Sequence, residues 1–154
     1  MINDVKIHRA EIEDVCDVVP LFCTYLKFYR RQASADAVES YLSARLQNHE
    51  SVIYLARVDG KLAGFAQLYP SFASLSMSKN WILYDLYVDE DFRRNGVASR
   101  LLEQAKKLAE ETGAAEIFLQ TAKDNVPAQR LYERLGYVRD QEFYCYVLIV
   151  VRGP

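Results

Sequence analysis

Apolar positions recur at a helical period in the first third of the chain, change to a strand-like pattern in the middle, and then switch between the two. From Glu11 to about Tyr29, Ile12, Val15, Val19, Phe22, Leu26 and Tyr29 return at three- and four-residue spacing, which predicts an amphipathic helix. Pro20 is expected to interrupt or kink it, since proline removes an N–H from the helix ladder. Val38, Leu42 and Leu46 mark a second helix over 35–47, with Ser34 available as its N-cap. The stretch "SVIYLARVDGKLAGFAQLYP" reads as two antiparallel strands around Asp59-Gly60, a pair that accepts the positive φ angles of a type I′ turn. "NWILYDLYV", residues 80–88, is so continuously apolar and aromatic that it predicts a central strand buried on both faces. Val97, Leu101, Ala105 and Leu108 stack in a helix from Val97 to about Glu111, with Gly113 just past its end. "AEIFLQT" follows as a short strand, and "NVPAQRLYERLG" as a short helix opened by Pro127 and closed by Gly136. "DVKIHRA" and "YCYVLIV" supply a first and a last strand, so the order is β-α-α-β-β-β-α-β-α-β, an α/β chain with helices packed on a mixed sheet.

Composition adds limits. A length of 154 residues, about half of them hydrophobic, fits one domain over 1–154. Lysine and arginine number 19 against 21 aspartates and glutamates, a formal charge of -2, so no global field draws the chain to nucleic acid or an anionic bilayer. A nucleic-acid reading built on Arg93, Arg94, Arg100, Lys106 and Lys107 has this balance against it. The first fourteen residues lack the continuous apolar stretch of a secretory signal, and the longest apolar run, "FYCYVLIVV" at 143–151, falls well short of the roughly twenty residues a spanning helix needs. A soluble, cytoplasmic chain with no membrane partner is expected. Cys16 and Cys23 lie seven apart on one helix, about 10 Å, too far for a disulfide. Both, with Cys145, are read as reduced core thiols, and two isolated histidines offer no metal set.

The chemistry concentrates at "RRNGVASR". A glycine opening a helix lets the chain turn tightly, and the first N–H groups of a helix have no internal partners while the dipole there is positive. Gly96 thus marks either an anion site or a solvated basic turn, and spacing alone does not separate the two.

Two motifs together point further. "RRNGVA" resembles the acetyl-CoA pyrophosphate signature of the GCN5-related N-acetyltransferases, Arg/Gln-x-x-Gly-x-Gly/Ala, and about thirty residues on "NVPAQRLYERLGYV" resembles that family's second signature at Asn125, Ala128, Leu131, Tyr132, Glu133, Gly136 and Tyr137. "LYPSFAS" and "WILYDLYV" further resemble the polyamine, thialysine and Hpa2-like branch. The resemblance implies a mostly antiparallel mixed sheet of about six or seven strands flanked by about four helices, with acetyl-CoA as cofactor. It also implies roles. Backbone groups of Leu86, Tyr87 and Val88 would hold the pantetheine arm; Arg93, Arg94, Asn95, Gly96, Val97 and Ala98 would hold the pyrophosphate; Asn125 would contact the cofactor beyond it. Tyr132 would protonate the departing thiolate.

An amine acceptor is mostly protonated at neutral pH, with a pKa near 10.4 for a lysine-like group, so a base is required. The polyamine enzymes place a glutamate before the aspartate of the central strand; here Tyr84 stands there, and Asp85 is the nearest carboxylate, either base through a water or a structural group. Tyr25, Tyr29, Tyr84 and Asp85 are the substrate-side candidates, with Phe28, Tyr69, Ser71 and Phe72 near them, since aromatics beside a carboxylate suit an ammonium group. The expected activity is direct transfer of an acetyl group to a primary amine of a small molecule or a lysine side chain. Tyr84 in place of a carboxylate leaves a second reading, a CoA-binding regulatory or interaction module without transfer activity. The apolar last strand would pair either across a homodimer interface or inside the monomer's sheet.

Overall fold

The structure, a computed structural model, describes residues 4–151. They divide into two compact units, one ending at Gln120 and one beginning at Thr121. The first contains β1 (Val5–Arg9), α1 (Val15–Phe28), α2 (Ala35–Gln47), β2 (Val52–Val58), β3 (Lys61–Ala73), β4 (Ser78–Val88), α3 (Val97–Glu111) and β5 (Ala114–Leu119). The second contains α4 (Val126–Arg134).

Five strands form one sheet in the order β1-β2-β3-β4-β5. The first three pairings are antiparallel; β4 and β5, joined through α3, run parallel, as a helical crossover requires. Asp59 and Gly60 both take positive φ, 50° and 78°, which closes the β2–β3 hairpin as its residue types predict. Ser34 caps α2 by accepting from the Ala37 N–H at 3.1 Å.

The sheet is buried on both sides where it matters. Ile53 and Leu55 of β2 and Phe65 of β3 pack with Val18, Phe22 and Tyr25 of α1 and Leu42 of α2, while the alternate β2 residues Val52, Tyr54, Ala56 and Val58 are also buried on the opposite face. That second face meets α3, whose Val97, Leu101, Leu102, Ala105 and Leu108 form its buried stripe.

Three expectations change. The expected interruption at Pro20 does not occur, although α1 begins at Val15 after a short 3-10 turn rather than at Glu11. Losing one ladder bond to a proline costs about 3 kcal/mol, whereas each fully buried Val, Leu or Phe contributes about 1.5–3 kcal/mol. Val15, Val18, Val19, Leu21 and Phe22 are all buried, so packing decides. The last predicted strand is absent: residues 143–150 carry no strand pairing, and Phe143, Tyr144, Tyr146, Val147, Leu148, Ile149 and Val150 are exposed, leaving five strands instead of six or seven. A strand exists only through its partner's hydrogen bonds, and among the described residues none engages this segment. The cysteines are free, but Cys16 and Cys145 are exposed and Cys23 half-buried, so the core assignment of the first two fails; Cys16 sits on the solvent side of α1, between core positions.

Candidate active site

A single extra residue in β4 organises the site. Gln67 of β3 pairs with Asp85 and Leu68 pairs with Leu83, so Tyr84 is left over as a bulge. Strict alternation would send Asp85 to the side of Leu83 and Tyr84 to the other. The bulge instead turns both Tyr84 and Asp85 toward the side occupied by Gln67 and Tyr69, where Asp85 meets Gln67 and the Tyr84 ring meets Tyr69 at 5.7 Å. Before the bulge, Trp81 turns the other way and donates from Nε1 to Thr112 Oγ1, at the end of α3, at 2.9 Å. After it, Tyr87 faces α1, with its ring 5.6 Å from Tyr25 and 6.1 Å from Phe28.

Asp85 is 4 % exposed and holds two hydrogen bonds: Tyr25 donates its hydroxyl to Oδ1 at 2.8 Å, and Gln67 Nε2 donates to Oδ2 at 2.8 Å. Burial pushes its pKa above the ordinary carboxylate value, and the two donors pull it partly back. Burial, followed by the charge and the hydrogen bond of Asp85, drives the Tyr25 hydroxyl far above its ordinary value. Tyr29 is raised by burial and then by Asp85, and Tyr69 by burial and then by its bond to Tyr41, whose hydroxyl lies 2.7 Å away. These tyrosines stay neutral near pH 7, so they can donate or relay protons but not carry charge.

Of the substrate-side candidates, the structure therefore brings Tyr25, Tyr29, Tyr69, Tyr84 and Asp85 together. Phe72 does not join them; it is 81 % exposed, five residues beyond Gln67 on β3, or about 17 Å at strand rise. Sequence reasoning missed Gln67 and Tyr41. The only signal for Gln67 was one polar side chain inside an apolar strand, "LAGFAQLYP", at a position that turns out fully buried.

Beyond the bulge, β4 opens. Its parallel pairing with β5 ends at Leu83 and Leu119, while the antiparallel pairing with β3 continues through Leu86, Tyr87 and Val88. On the β5 side, Leu86 to Val88 thus present strand edge with no partner among the described residues, the kind of edge an extended ligand arm can pair with. The chain then passes through Asp89, which caps a short turn by accepting from the Asp91 N–H at 2.9 Å.

At the start of α3, Arg94 and Gly96 both adopt left-handed backbone, with φ of 63° and 76°. Arg93 before them is extended, so the backbone turns sharply here, and irregular turns of this kind can gather N–H groups around an anion. A Cβ on Gly96 would meet no protein atom within 4 Å, so the space over the turn is open. The N-cap of α3 is Gly96, which has no side chain of its own to cap the helix, in contrast to Ser34 on α2 and Asn125 on α4. Asn95 turns inward and donates to the Arg93 carbonyl at 2.8 Å, bracing the turn. Arg93 has a structural share: Nε donates to the Val88 carbonyl at 3.0 Å, and its guanidinium covers the rings of Tyr87 and Phe28 at 5.4 and 5.8 Å. Val97 is buried as the first core residue of α3, followed by half-buried Ala98.

In the second unit, Asn125 caps α4, accepting from the Ala128 N–H at 3.4 Å, and Pro127 occupies the first turn as predicted. Tyr132 lies on this helix, with its ring 5.7 Å from Tyr137.

With this geometry in hand, comparison with known proteins gives a consistent set of relatives. The model of the Acetyltransferase (GNAT) family matches residues 18–137. The uncharacterized N-acetyltransferase YhfO of Bacillus subtilis (strain 168) is 43% identical over 146 residues, covering 95% of this chain and 98% of that protein. A crystal structure of a probable acetyltransferase superposes with a TM-score of 0.92 at 43% identity, covering 96% and 99% of the two chains. A structure from Clostridium acetobutylicum, described as a predicted acetyltransferase with acetyl-CoA, shares the fold at a TM-score of 0.76 and 16% identity, covering 94% and 96%.

Proposed function

Since the chain belongs to the acetyltransferase (GNAT) family, enzymes that carry acetyl groups to amine-type substrates, we propose that it moves the acetyl group of acetyl-CoA directly to a primary amine. The acceptor is a small polyamine-like molecule or a lysine side chain. The observation that carries this reading is the start of α3: left-handed Gly96, open space above it, and a helix N-terminus whose N-cap residue carries no side chain. Acetyl-CoA supplies the thioester; everything else is done by the chain. Arg94 to Ala98 would hold the pyrophosphate by backbone N–H groups, with Arg93 fixing the turn against Val88. Leu86, Tyr87 and Val88 would pair with the pantetheine arm along the open edge of β4, and Asn125 would contact the cofactor with the amide end that does not cap α4. Asp85 is the carboxylate on which the proton lost by the amine ends, and Tyr132 gives one to the leaving thiolate.

The match of the family model across 18–137, which spans both compact units, supports reading 1–154 as one acetyltransferase domain. No helix among the described residues is long and apolar enough to cross a membrane. We assign the enzyme to the cytoplasm and to homodimers, and give it no nucleic-acid partner, since the formal charge is -2.

Calorimetry with acetyl-CoA, combined with thiol release on polyamines, aminoglycosides and lysine peptides, tests this function. Binding with turnover on at least one amine is expected. Binding with no turnover on any of them would favour the regulatory module, whose motive is Tyr84 at the expected carboxylate position.

A further inference from the structure

Asp85 is the only buried carboxylate among the described residues, and both of its oxygens already accept hydrogen bonds. At 4 % exposure the carboxylate lies too deep for an ammonium group arriving from solvent to meet it directly. On the α1 side the carboxylate's neighbour is Tyr25, itself 8 % exposed but packed against the more open Tyr29. The Tyr25 hydroxyl donates to Asp85 Oδ1 at 2.8 Å, and its ring sits edge-on to Tyr29, 5.2 Å away and 46 % exposed. Tyr84, 70 % exposed, lies on the same side of the sheet through the bulge.

We propose that Tyr25 is a catalytic residue: its hydroxyl oxygen takes the proton of the substrate ammonium as its own proton passes to Asp85 Oδ1. The proposal rests on the reading of the chain as an amine acetyltransferase. The balance closes. One N–H proton of the ammonium moves to Tyr25, the hydroxyl proton of Tyr25 moves to Asp85, and Tyr25 ends as it began. The amine lone pair forms the N–C bond to the acetyl carbon, and the C–S bond breaks with its electron pair on sulfur. A second N–H proton offsets the one the thiolate takes up, so one proton leaves overall, from Asp85 to water.

The surroundings favour this route over an ionised tyrosine. Groups around Asp85 are Tyr25 and Tyr29 from α1, Gln67 and Tyr69 from β3, and Tyr84 and Tyr87 from β4, none of them a carboxylate or a basic side chain; the nearby cations are Arg45, which acts on Tyr69, and Arg93, stacked on Tyr87. Burial disfavours charge on either member of the pair, so Asp85 gains by becoming a neutral acid, while Tyr25 never needs to become an anion. Gln67 is a positioning residue: it holds the second carboxylate oxygen, which leaves Oδ1 aimed at Tyr25.

The test compares two acceptors at pH 7, an alkylamine that is protonated and an alkoxyamine that is already uncharged. Tyr25→Phe keeps the ring between Phe22, Phe65 and Tyr87 and removes only the hydroxyl. It is expected to lose about 100-fold in kcat/KM on the alkylamine and little on the alkoxyamine. Asp85→Asn should show the same selective loss, and the double variant no more than either single one, because groups acting as a unit are not additive. The carboxyl 13C titration of Asp85 should also move to higher pH in Tyr25→Phe, as a donor to the carboxylate is lost. Equal losses on both acceptors, or no loss on either, would overturn the relay. Wild-type enzyme with no turnover on these or on any of the polyamines, aminoglycosides and lysine peptides would instead remove the acetyl-transfer reading itself, and the relay with it.

Discussion

Burying the Asp85 carboxylate costs the folded chain stability at neutral pH. Its pKa is raised above the ordinary 3.8, so between that value and the raised one the folded chain binds more protons than the unfolded chain. This group's contribution therefore becomes more favourable as pH falls through that window and is unfavourable at pH 7. Asparagine fits the same pocket: Tyr25 can donate to its amide oxygen, and its amide N–H can reach Gln67 Oε1, which now has no hydrogen-bond partner, once the Gln67 amide turns over. Asp85→Asn is thus expected to show a Tm equal to or above wild type at pH 7, with the difference shrinking toward pH 4, while alkylamine turnover falls. A lower Tm at pH 7 would mean that the carboxylate is net stabilising. Tyr132→Phe should lower turnover by about 100-fold and leave the acetyl-CoA Kd nearly unchanged. Unchanged turnover would remove Tyr132 from the mechanism. At this scale the residue types were readable in the sequence, but their meeting was not: Tyr25, Gln67 and Asp85 lie 18 to 60 positions apart.

Two glycines separate element geometry from ligand contact. A Cβ on Gly64 would lie 2.8 Å from the Tyr87 carbonyl oxygen, a backbone atom of the neighbouring strand that cannot swing aside. Gly64→Ala should therefore cost about 1–3 kcal/mol in a urea titration, by pushing β3 from the end of β4. At Gly96 a Cβ meets nothing within 4 Å, and only the left-handed φ of 76° is penalised, so Gly96→Ala should cost about 1 kcal/mol. Its larger effect is expected in calorimetry, as weaker acetyl-CoA binding, because the new methyl group projects where a phosphate would approach. An unchanged Kd would take this turn out of the cofactor site. Helices α2 and α3 and the β2–β3 hairpin were readable because caps, periods and Asp-Gly are local signals. The bulge at Tyr84 was not, since no residue type announces a register shift that exists only between two strands.

Across the whole molecule, residues 143–151 expose an almost unbroken apolar run, more than a lone chain in water normally leaves uncovered. Self-association is expected: sedimentation velocity should find a dimer at micromolar concentration, and Val147→Lys with Ile149→Lys should give a monomer. A monomeric wild type would remove the homodimer. The near balance of charges predicts little salt dependence in any binding to DNA, and a steep dependence would reopen the nucleic-acid reading. By itself the sequence determined the α/β order as far as α4, the bounds of α2 and α3, and two motifs that carry the family, because each rests on neighbours within a few turns of chain. Tertiary structure decided that α1 runs through Pro20, that 143–150 forms no strand, and that Tyr84 and Asp85 share a face. In each case the deciding energy lies in contacts between distant segments: buried side chains outweigh one lost helix bond, a strand needs a partner's N–H and C=O groups, and a bulge is a property of a pair.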